Sequence, residues 1–296
     1  MDNAWLSSFL TALALGIIIS GVYALFAVGL SMLFGVMDIV NVAHGEMFTI
    51  GAYFAFIGAV LLFLHPVLAL VGVILGSLAV GFGAYFLTIR PLHNRLGRRP
   101  KAPVYLVLTL GLSILLQNVV LAIAGGNFKV IPSFISGTTN LLNLVYISRY
   151  RVFIFLVSMA AVLGLFLFLK YTRTGLAIRA VKENSSAAQA VGIKVDQIYL
   201  ITFGLVGVLA GLSGALLTPI YRVFPTVGAI LTIKAFAIIV LGGMGNLLGA
   251  LIGAFVIGIS ESIAVMYIST DWKDLVAFAI MIVILIIRPS GIMKGE

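Results

Sequence analysis

The stretch that determines the fold class is TRTGLAIRAVKENSSAAQAVGIKVD, residues 172–196, which lies between two long apolar segments. Its small and charged residues contrast with a chain that is 62% hydrophobic and 9% charged, with a mean hydropathy of +1.24. A water-soluble domain cannot expose so much apolar surface. The polar stretch must therefore lie in water on one side of a lipid bilayer, and the apolar segments beside it must cross that bilayer.

Apolar segments recur along the whole chain, and most are long enough to cross a hydrocarbon core of about 30 Å. They lie near residues 5–35, 46–64, 67–89, 103–124, 152–170, 197–218, 228–243, 246–267 and 273–288. Their continuity excludes an outer-membrane barrel, whose strands alternate in polarity. We predict an all-α, polytopic transmembrane helical bundle with eight or nine crossings, forming a single domain over residues 1–296. The short segment 228–243 also fits a re-entrant helix.

Basic residues predict the orientation, because Lys and Arg concentrate in cytoplasmic loops. Five of them lie in the basic loop 90–102, five lie in or beside residues 172–196, and two lie in the C-terminal tail. If these segments are cytoplasmic, twelve of the eighteen basic residues lie inside. This places the N-terminus outside, the C-terminus in the cytoplasm and residues 125–150 in an external loop. The same bias explains the net charge of +9. We therefore expect membrane lipid as a partner, and no nucleic acid.

Several kinds of chemistry are excluded by what the sequence lacks. There is no cysteine, and the three histidines are dispersed, so we expect no disulfide and no metal site. No nucleophile–base pair or carboxylate dyad is visible, so we expect no catalytic residue and no enzyme activity. The phosphate-binding pattern G-x-x-x-x-G-K-[ST] is absent. If transport is active, the chain binds no cofactor itself, and ATP must act on a separate subunit.

The polar stretch 172–196 has the pattern of two short amphipathic helices. An apolar stripe is predicted, Asn184 or Ser185 can cap the second helix, and Gly192 can end it. Residues 186–192 are similar in spacing to the cytoplasmic loop of ABC-transporter permeases that docks on the ATPase, although Ser186 replaces the usual acidic residue. An ordinary solvated loop fits the pattern equally well. The residues expected to couple to an ATPase are Gly175, Ile178, Arg179, Val181, Glu183, Ala187, Ala188 and Gly192.

Polar residues within or between apolar spans form a second group of candidates, because such residues usually face a bundle interior or a wet cavity. At residues 38–46 the alternatives are a broken helix lining a path and a cytoplasmic turn, and we favour a structural or gating role over substrate contact. Lys234 could pair with Glu261 or extend to the outer interface. Adjacent glycines can break a helix. The candidates for a translocation path or its gating are Asp38, Asn41, His44, Glu46, Gln117, Asn118, Lys234, Gly242, Gly243 and Glu261.

Two turns of the chain are weakly alike. Residues 33–38, LFGVMD, and 241–246, LGGMGN, each follow an inward-running span and precede an outward-running one. A parallel internal repeat and chance similarity among glycine-rich membrane turns both explain this likeness. Separately, three groups of glycines have the small-xxx-small spacing that permits close helix packing: Gly72 and Gly76, Gly207 and Gly211, and Gly245, Gly249 and Gly253.

Several motifs together resemble one family. Residues 29–53, GLSMLFGVMDIVNVAHGEMFTIGAY, resemble the N-terminal signature of the branched-chain amino-acid ABC permeases of the LivH type and their urea-transporting relatives. TRTGLAIRAV at 172–181 resembles their cytoplasmic loop, LGGMGNLLGA at 241–250 their C-terminal glycine signature, and RPSGI at 288–292 their usual ending. The resemblance covers the chain from end to end.

This resemblance implies a multi-pass permease subunit in the inner membrane of a prokaryotic cell. It also implies a second, LivM-like permease, two ATP-binding subunits and an extracytoplasmic solute-binding protein as partners. Branched-chain amino acids, other amino acids and urea all remain open as substrates, as do a homodimeric and a heterodimeric permease. The alternative function is a self-sufficient secondary transporter or channel that uses intramembrane ionisable residues such as Asp38, His44, Lys234 or Glu261.

Overall fold

The computed structural model describes residues 2–92, 102–141 and 145–293. Most of the predicted basic loop 90–102 and Lys294 of the tail lie outside these described residues. The orientation of the two termini therefore stays a prediction from the sequence.

The described residues form eleven α-helices and one β-hairpin, and this confirms the all-α prediction. Two π-helical turns, Ile57–Leu61 and Tyr85–Ile89, extend the second and third helices. Each of the nine predicted apolar segments corresponds to one long helix. The helices are α1 (Asp2–Met37), α2 (His44–Phe56), α3 (Pro66–Ala84), α4 (Ala102–Ala124), α5 (Arg149–Tyr171), α6 (Arg173–Glu183), α7 (Ser185–Ala190), α8 (Val195–Leu217), α9 (Val227–Gly242), α10 (Leu247–Tyr267) and α11 (Lys273–Ile287).

Seven helical segments among the described residues are long and apolar enough to cross a membrane, so the chain is a multi-pass membrane protein. The helices α9 and α11 are shorter, with 16 and 15 residues. At 1.5 Å per residue α9 is about 24 Å long, which is less than a hydrocarbon core of about 30 Å. The exact number of crossings, and whether α9 is re-entrant, stay predictions.

Residues 29–131 and 163–234 form one compact unit, with α2, α3 and α8 packed together at its centre. Glycines at these contacts let the helix backbones approach closely. Gly51 of α2 meets Gly211 of α8, while Gly207 of α8 lies against Ser77 and Gly81 of α3. The predicted packing role of Gly207 and Gly211 is therefore confirmed. It is wrong for Gly72, where an added side chain would meet nothing within 4 Å among the described residues.

Residues 1–28, 132–162 and 235–296 form a second compact unit. In it, the Ser262 hydroxyl of α10 donates to the carbonyl oxygen of Ala12 in α1 at 2.7 Å. A 3₁₀ turn leads from α10 to α11, and the two helices pack together. The unit also contains strands β1 (Thr138–Leu141) and β2 (Val145–Ser148), an antiparallel hairpin within the predicted external loop.

Candidate translocation and coupling sites

The chain breaks sharply between α1 and α2. Asp38, the first residue after α1, has φ +54°, in the left-handed region that Asp and Asn adopt more readily than most residues. The Oδ1 atom of Asn41 accepts the backbone N–H of Ala43 at 3.0 Å, which forms an Asx-type turn just before α2. Helix α2 then begins at His44 with no side-chain cap. Short polar side chains therefore shape this break.

A polar stripe on α4 contacts the break. Thr109, Ser113 and Gln117 recur every four residues, which places them on one side of the helix. The Thr109 hydroxyl oxygen accepts the backbone N–H of Val42 at 3.3 Å. The Ser113 hydroxyl and the Gln117 side-chain amide both donate to Oε1 of Glu46, at 3.1 and 2.8 Å. Helix α4 therefore holds both the break and the first turn of α2.

The polar stripe lies in the middle part of α4. Helix α4 has 23 residues and is therefore about 34 Å long. At 1.5 Å per residue, the three stripe residues lie about 10, 16 and 22 Å from its first residue. The helices on both sides of the break belong to segments long enough to cross a membrane, so for residues 38–46 the broken helix and the turn between two spans both stay predictions.

Three of the four polar candidates at the break are buried. Asn41, His44 and Glu46 each expose 1% or less of their surface, whereas Asp38 is exposed. Within the described part of the chain, Nδ2 of Asn41 and Oε2 of Glu46 have no hydrogen-bond partner. Buried polar atoms are normally paired, because an unpaired one costs about 1–3 kcal/mol. These two atoms, one donor and one acceptor, are therefore buried near the start of α2 and can each form a further hydrogen bond.

Gln117 and Asn118 are adjacent in the sequence but have different surroundings. Gln117 is half-buried and belongs to the cluster around Glu46. Asn118 is exposed, and its side-chain amide donates to the carbonyl oxygen of Ile114 in its own helix at 2.8 Å. Sequence reasoning treated the two residues alike and missed Thr109 and Ser113. The four-residue spacing of polar side chains was the signal that could have found the stripe.

The charged candidates of the later spans are both buried. Lys234 belongs to the unit formed by residues 29–131 and 163–234, and Glu261 belongs to the other unit. The Oε2 atom of Glu261 accepts the hydroxyl of Tyr23 at 2.9 Å. The predicted pairing of Lys234 with Glu261 stays a prediction.

The adjacent glycines at the end of α9 break the helix as predicted. Gly242 is its last residue, and Gly243 has φ +104°, a conformation that favours glycine. A side chain on Gly242 would collide with the backbone of Gly249 in α10. Their role in transport stays a prediction.

Residues 172–196 form the short helices α6 and α7, and each has a side-chain cap. The Thr172 hydroxyl oxygen accepts the N–H of Gly175 at 2.9 Å, and Oδ1 of Asn184 accepts the N–H groups of Ser186 and Ala187, both at 3.0 Å. Gly192 follows α7 with φ +91°. Capping by Asn184 and termination at Gly192 are therefore confirmed.

The predicted coupling residues divide into a buried set and an exposed set. The buried residues hold α6 and α7 in place, because both helices pack against α8. They cannot themselves form an outer docking surface. Sequence reasoning missed Leu176 and Val191, which are apolar but 59% and 79% exposed. The buried residues are Gly175, Ile178, Val181 and Ala188; the exposed ones are Arg179, Glu183, Ala187 and Gly192.

Two features of the chain are typical of a multi-pass helical permease: a polar break between two apolar helices, and a capped amphipathic segment between two long apolar helices. A family model described as the permease component of branched-chain amino acid transport systems matches residues 12–285. The chain belongs to this family. Within the described residues, no group of three or more His, Cys, Asp or Glu side chains could hold a metal ion.

Relatives of known function match the chain over nearly its full length. The high-affinity branched-chain amino acid transport system permease protein LivH of Escherichia coli K12 is 33% identical over 301 residues, covering 96% of this chain and 95% of the relative. The corresponding BraD protein of Pseudomonas aeruginosa is 34% identical, with the same coverage. A probable LivH permease of Methanocaldococcus jannaschii is 31% identical over 93% of this chain and 90% of its own.

Proposed function

We propose that this chain forms the transmembrane path of an ABC importer for branched-chain amino acids or related small solutes. A second, LivM-like permease completes the path, two ATP-binding subunits hydrolyse ATP, and an extracytoplasmic solute-binding protein delivers the solute. The complex acts in the inner membrane of a prokaryotic cell. The relatives from Escherichia coli and Pseudomonas aeruginosa, which are named as permeases for branched-chain amino acids, support this substrate class.

The observation that carries the proposal is the construction of residues 172–196. Helix α6 begins directly after α5, and α7 is separated from α8 by four residues. Because buried residues hold the segment against α8, a push on its outer surface is transmitted to two long apolar helices. Leu176, Val191 and Arg179 supply the apolar and basic groups of that surface. This arrangement suits a segment that receives force from an ATP-binding subunit.

The broken helix between α1 and α2 supports the proposed path. It combines buried polar groups with a sharp break, and transporters use broken helices of this kind near the bilayer midplane to bind polar solutes. In this proposal Asn41, His44, Glu46 and Gln117 line or gate the path. Gly242 and Gly243 form a second break.

The decisive experiment is uptake in proteoliposomes. We expect the complete complex to accumulate labelled leucine only when ATP and the solute-binding protein are both present. The permease pair without its ATP-binding subunits should take up none. Gradient-driven uptake by the permeases alone would instead establish the secondary transporter or channel.

Charge substitutions test the outer surface of residues 172–196. We expect Leu176→Asp and Arg179→Glu to lower ATP-dependent uptake about tenfold or more, since each removes a group that a partner would contact. Membrane insertion should be unaffected, because both side chains are exposed. Arg222→Glu, in the turn before α9, is the matched charge reversal on the predicted external side. Equal uptake by all three variants would contradict docking at this segment.

A further inference from the structure

The two carboxylate oxygens of Glu46 have different surroundings. Oε1 accepts hydrogen bonds from Ser113 and Gln117, and these two donors fix the orientation of the side chain. Oε2 is buried and accepts no hydrogen bond from any described residue. Oε2 of Glu46 is therefore held in a defined position and can still accept a hydrogen bond.

Asn41 offers the complementary group. Its Oδ1 is engaged by the N–H of Ala43, which fixes the amide plane, and its Nδ2 donor is buried without a partner among the described residues. Asn41 and Glu46 belong to one local segment, the end of the break and the first turn of α2. One fixed donor and one fixed acceptor therefore lie close together in the chain.

A ligand that satisfies both atoms must present a donor to a carboxylate and an acceptor to an amide. An α-amino acid carries both groups, because its ammonium and carboxylate are attached to the same carbon. Hydrogen bonds to charged groups are stronger than neutral ones, especially where water is excluded.

We propose that Glu46 and Asn41 bind the two charged ends of an amino acid during its passage. Oε2 of Glu46 accepts from the ammonium group, and Nδ2 of Asn41 donates to the carboxylate. This site rests on the proposed function and assigns its substrate contacts. Gln117 is half-buried and donates to Glu46, so it extends this polar cluster towards the surface of α4.

The test compares Glu46→Gln with wild type in the complete complex, measuring leucine uptake and ATP hydrolysis stimulated by the solute-binding protein. Glutamine has the shape of glutamate but cannot offer a charged acceptor to an ammonium group. We expect leucine uptake to fall at least tenfold while stimulated ATP hydrolysis stays within twofold of wild type. Asn41→Ala should likewise lower uptake at least fivefold.

A control separates this role from a general loss of stability. Thr49 is a buried hydroxyl on the same helix, bonded to Gly45 and to the N–H of Gly228. Thr49→Val should reduce the Tm at least as much as Glu46→Gln, while keeping uptake within threefold of wild type. If uptake follows Tm across these variants, the role of Glu46 is structural and the proposal is overturned.

Competition binding tests ammonium recognition directly. It is measured on the complex without its solute-binding protein. We expect the 2-hydroxy analogue of leucine, which lacks the ammonium group, to compete with labelled leucine at least tenfold more weakly than leucine does. Glu46→Gln should remove this difference.

Three results would overturn the site. These are wild-type uptake by Glu46→Gln, a preference for leucine that survives the substitution, and proton movement coupled to uptake that only Glu46→Gln abolishes. The last result would show that Oε2 of Glu46 carries a proton during uptake and does not bind the ammonium group. A wild-type complex that takes up no amino acid at all would instead remove the proposed function, and this site with it.

Discussion

The break between α1 and α2 and the break between α9 and α10 interrupt apolar helices in different ways. At the first break, side chains form the stabilising hydrogen bonds: Asn41 accepts the N–H of Ala43, and side chains of α4 bond to Val42 and Glu46. At the second break, backbone groups close the end of α9: the N–H groups of Ile292 and Met293 donate to the carbonyl oxygens of Leu241 and Gly242, at 2.8 and 3.1 Å. One side chain also takes part, because Oδ1 of Asn246 caps α10 by accepting the N–H of Gly249 at 2.9 Å.

This difference shows that two turns with similar sequences can be stabilised by different kinds of contact. The weak likeness of residues 33–38 and 241–246 left both a parallel repeat and a chance similarity open. The first turn leaves buried polar atoms available for a ligand, whereas the second is closed by the C-terminal tail and by close glycine contacts. The first break therefore offers polar atoms that a solute could contact, whereas the second break mainly fixes how the helices pack.

The largest effect is expected from filling the glycine contact at the second break. Gly249→Val places a branched side chain against the backbone of Gly242, where no neighbour can yield. Overpacking of this kind costs about 3 kcal/mol, so little assembled protein should be recovered by size-exclusion chromatography.

Gly72→Val is the matched control, because a side chain added at Gly72 has nothing within 4 Å. This variant should elute like wild type. Equal recovery of the two variants would show that the glycine contact is not close in the protein.

An intermediate effect is expected from the polar stripe at the first break. Gln117→Leu removes one donor from Glu46 and should lower leucine uptake about tenfold or more, since a charge-assisted hydrogen bond contributes about 1.5–3 kcal/mol and about 1.4 kcal/mol is a factor of ten. Asn118→Leu changes the next residue, which is exposed and bonded only within its own helix among the described contacts. Its uptake should stay within twofold of wild type, and a larger loss there than at Gln117 would refute the assignment of the stripe.

The smallest effect is expected from shortening the tail. A chain that ends at Ser290 lacks the donors of Ile292 and Met293, which together stabilise the end of α9 by about 2 kcal/mol. Its Tm in detergent should fall by a few degrees. A chain that ends at Met293 keeps both donors and should match wild type. Unchanged Tm in the shorter chain would mean that α9 needs no closure by the tail.

Much of the fold follows from local patterns. Apolar runs predicted nine of the helices, because each helix satisfies its own backbone hydrogen bonds in lipid. Asn184 and Gly192 marked the ends of α7, because capping depends on residues within one turn. The candidate site was predicted less well. Sequence reasoning grouped Asn118 with Gln117, and it could not separate buried Ile178 from exposed Leu176 as a contact for a partner.

By itself, the sequence determined the membrane class, the positions of the helices and the family. These properties follow from composition, from short-range hydrogen bonding and from motifs spread along the whole chain. Only the tertiary structure decided that Glu46 meets Ser113 and Gln117, which lie 67 and 71 residues away. It also decided which side of residues 172–196 is buried. The physical reason is that burial and polar pairing depend on how separate helices pack, and no local pattern specifies that packing.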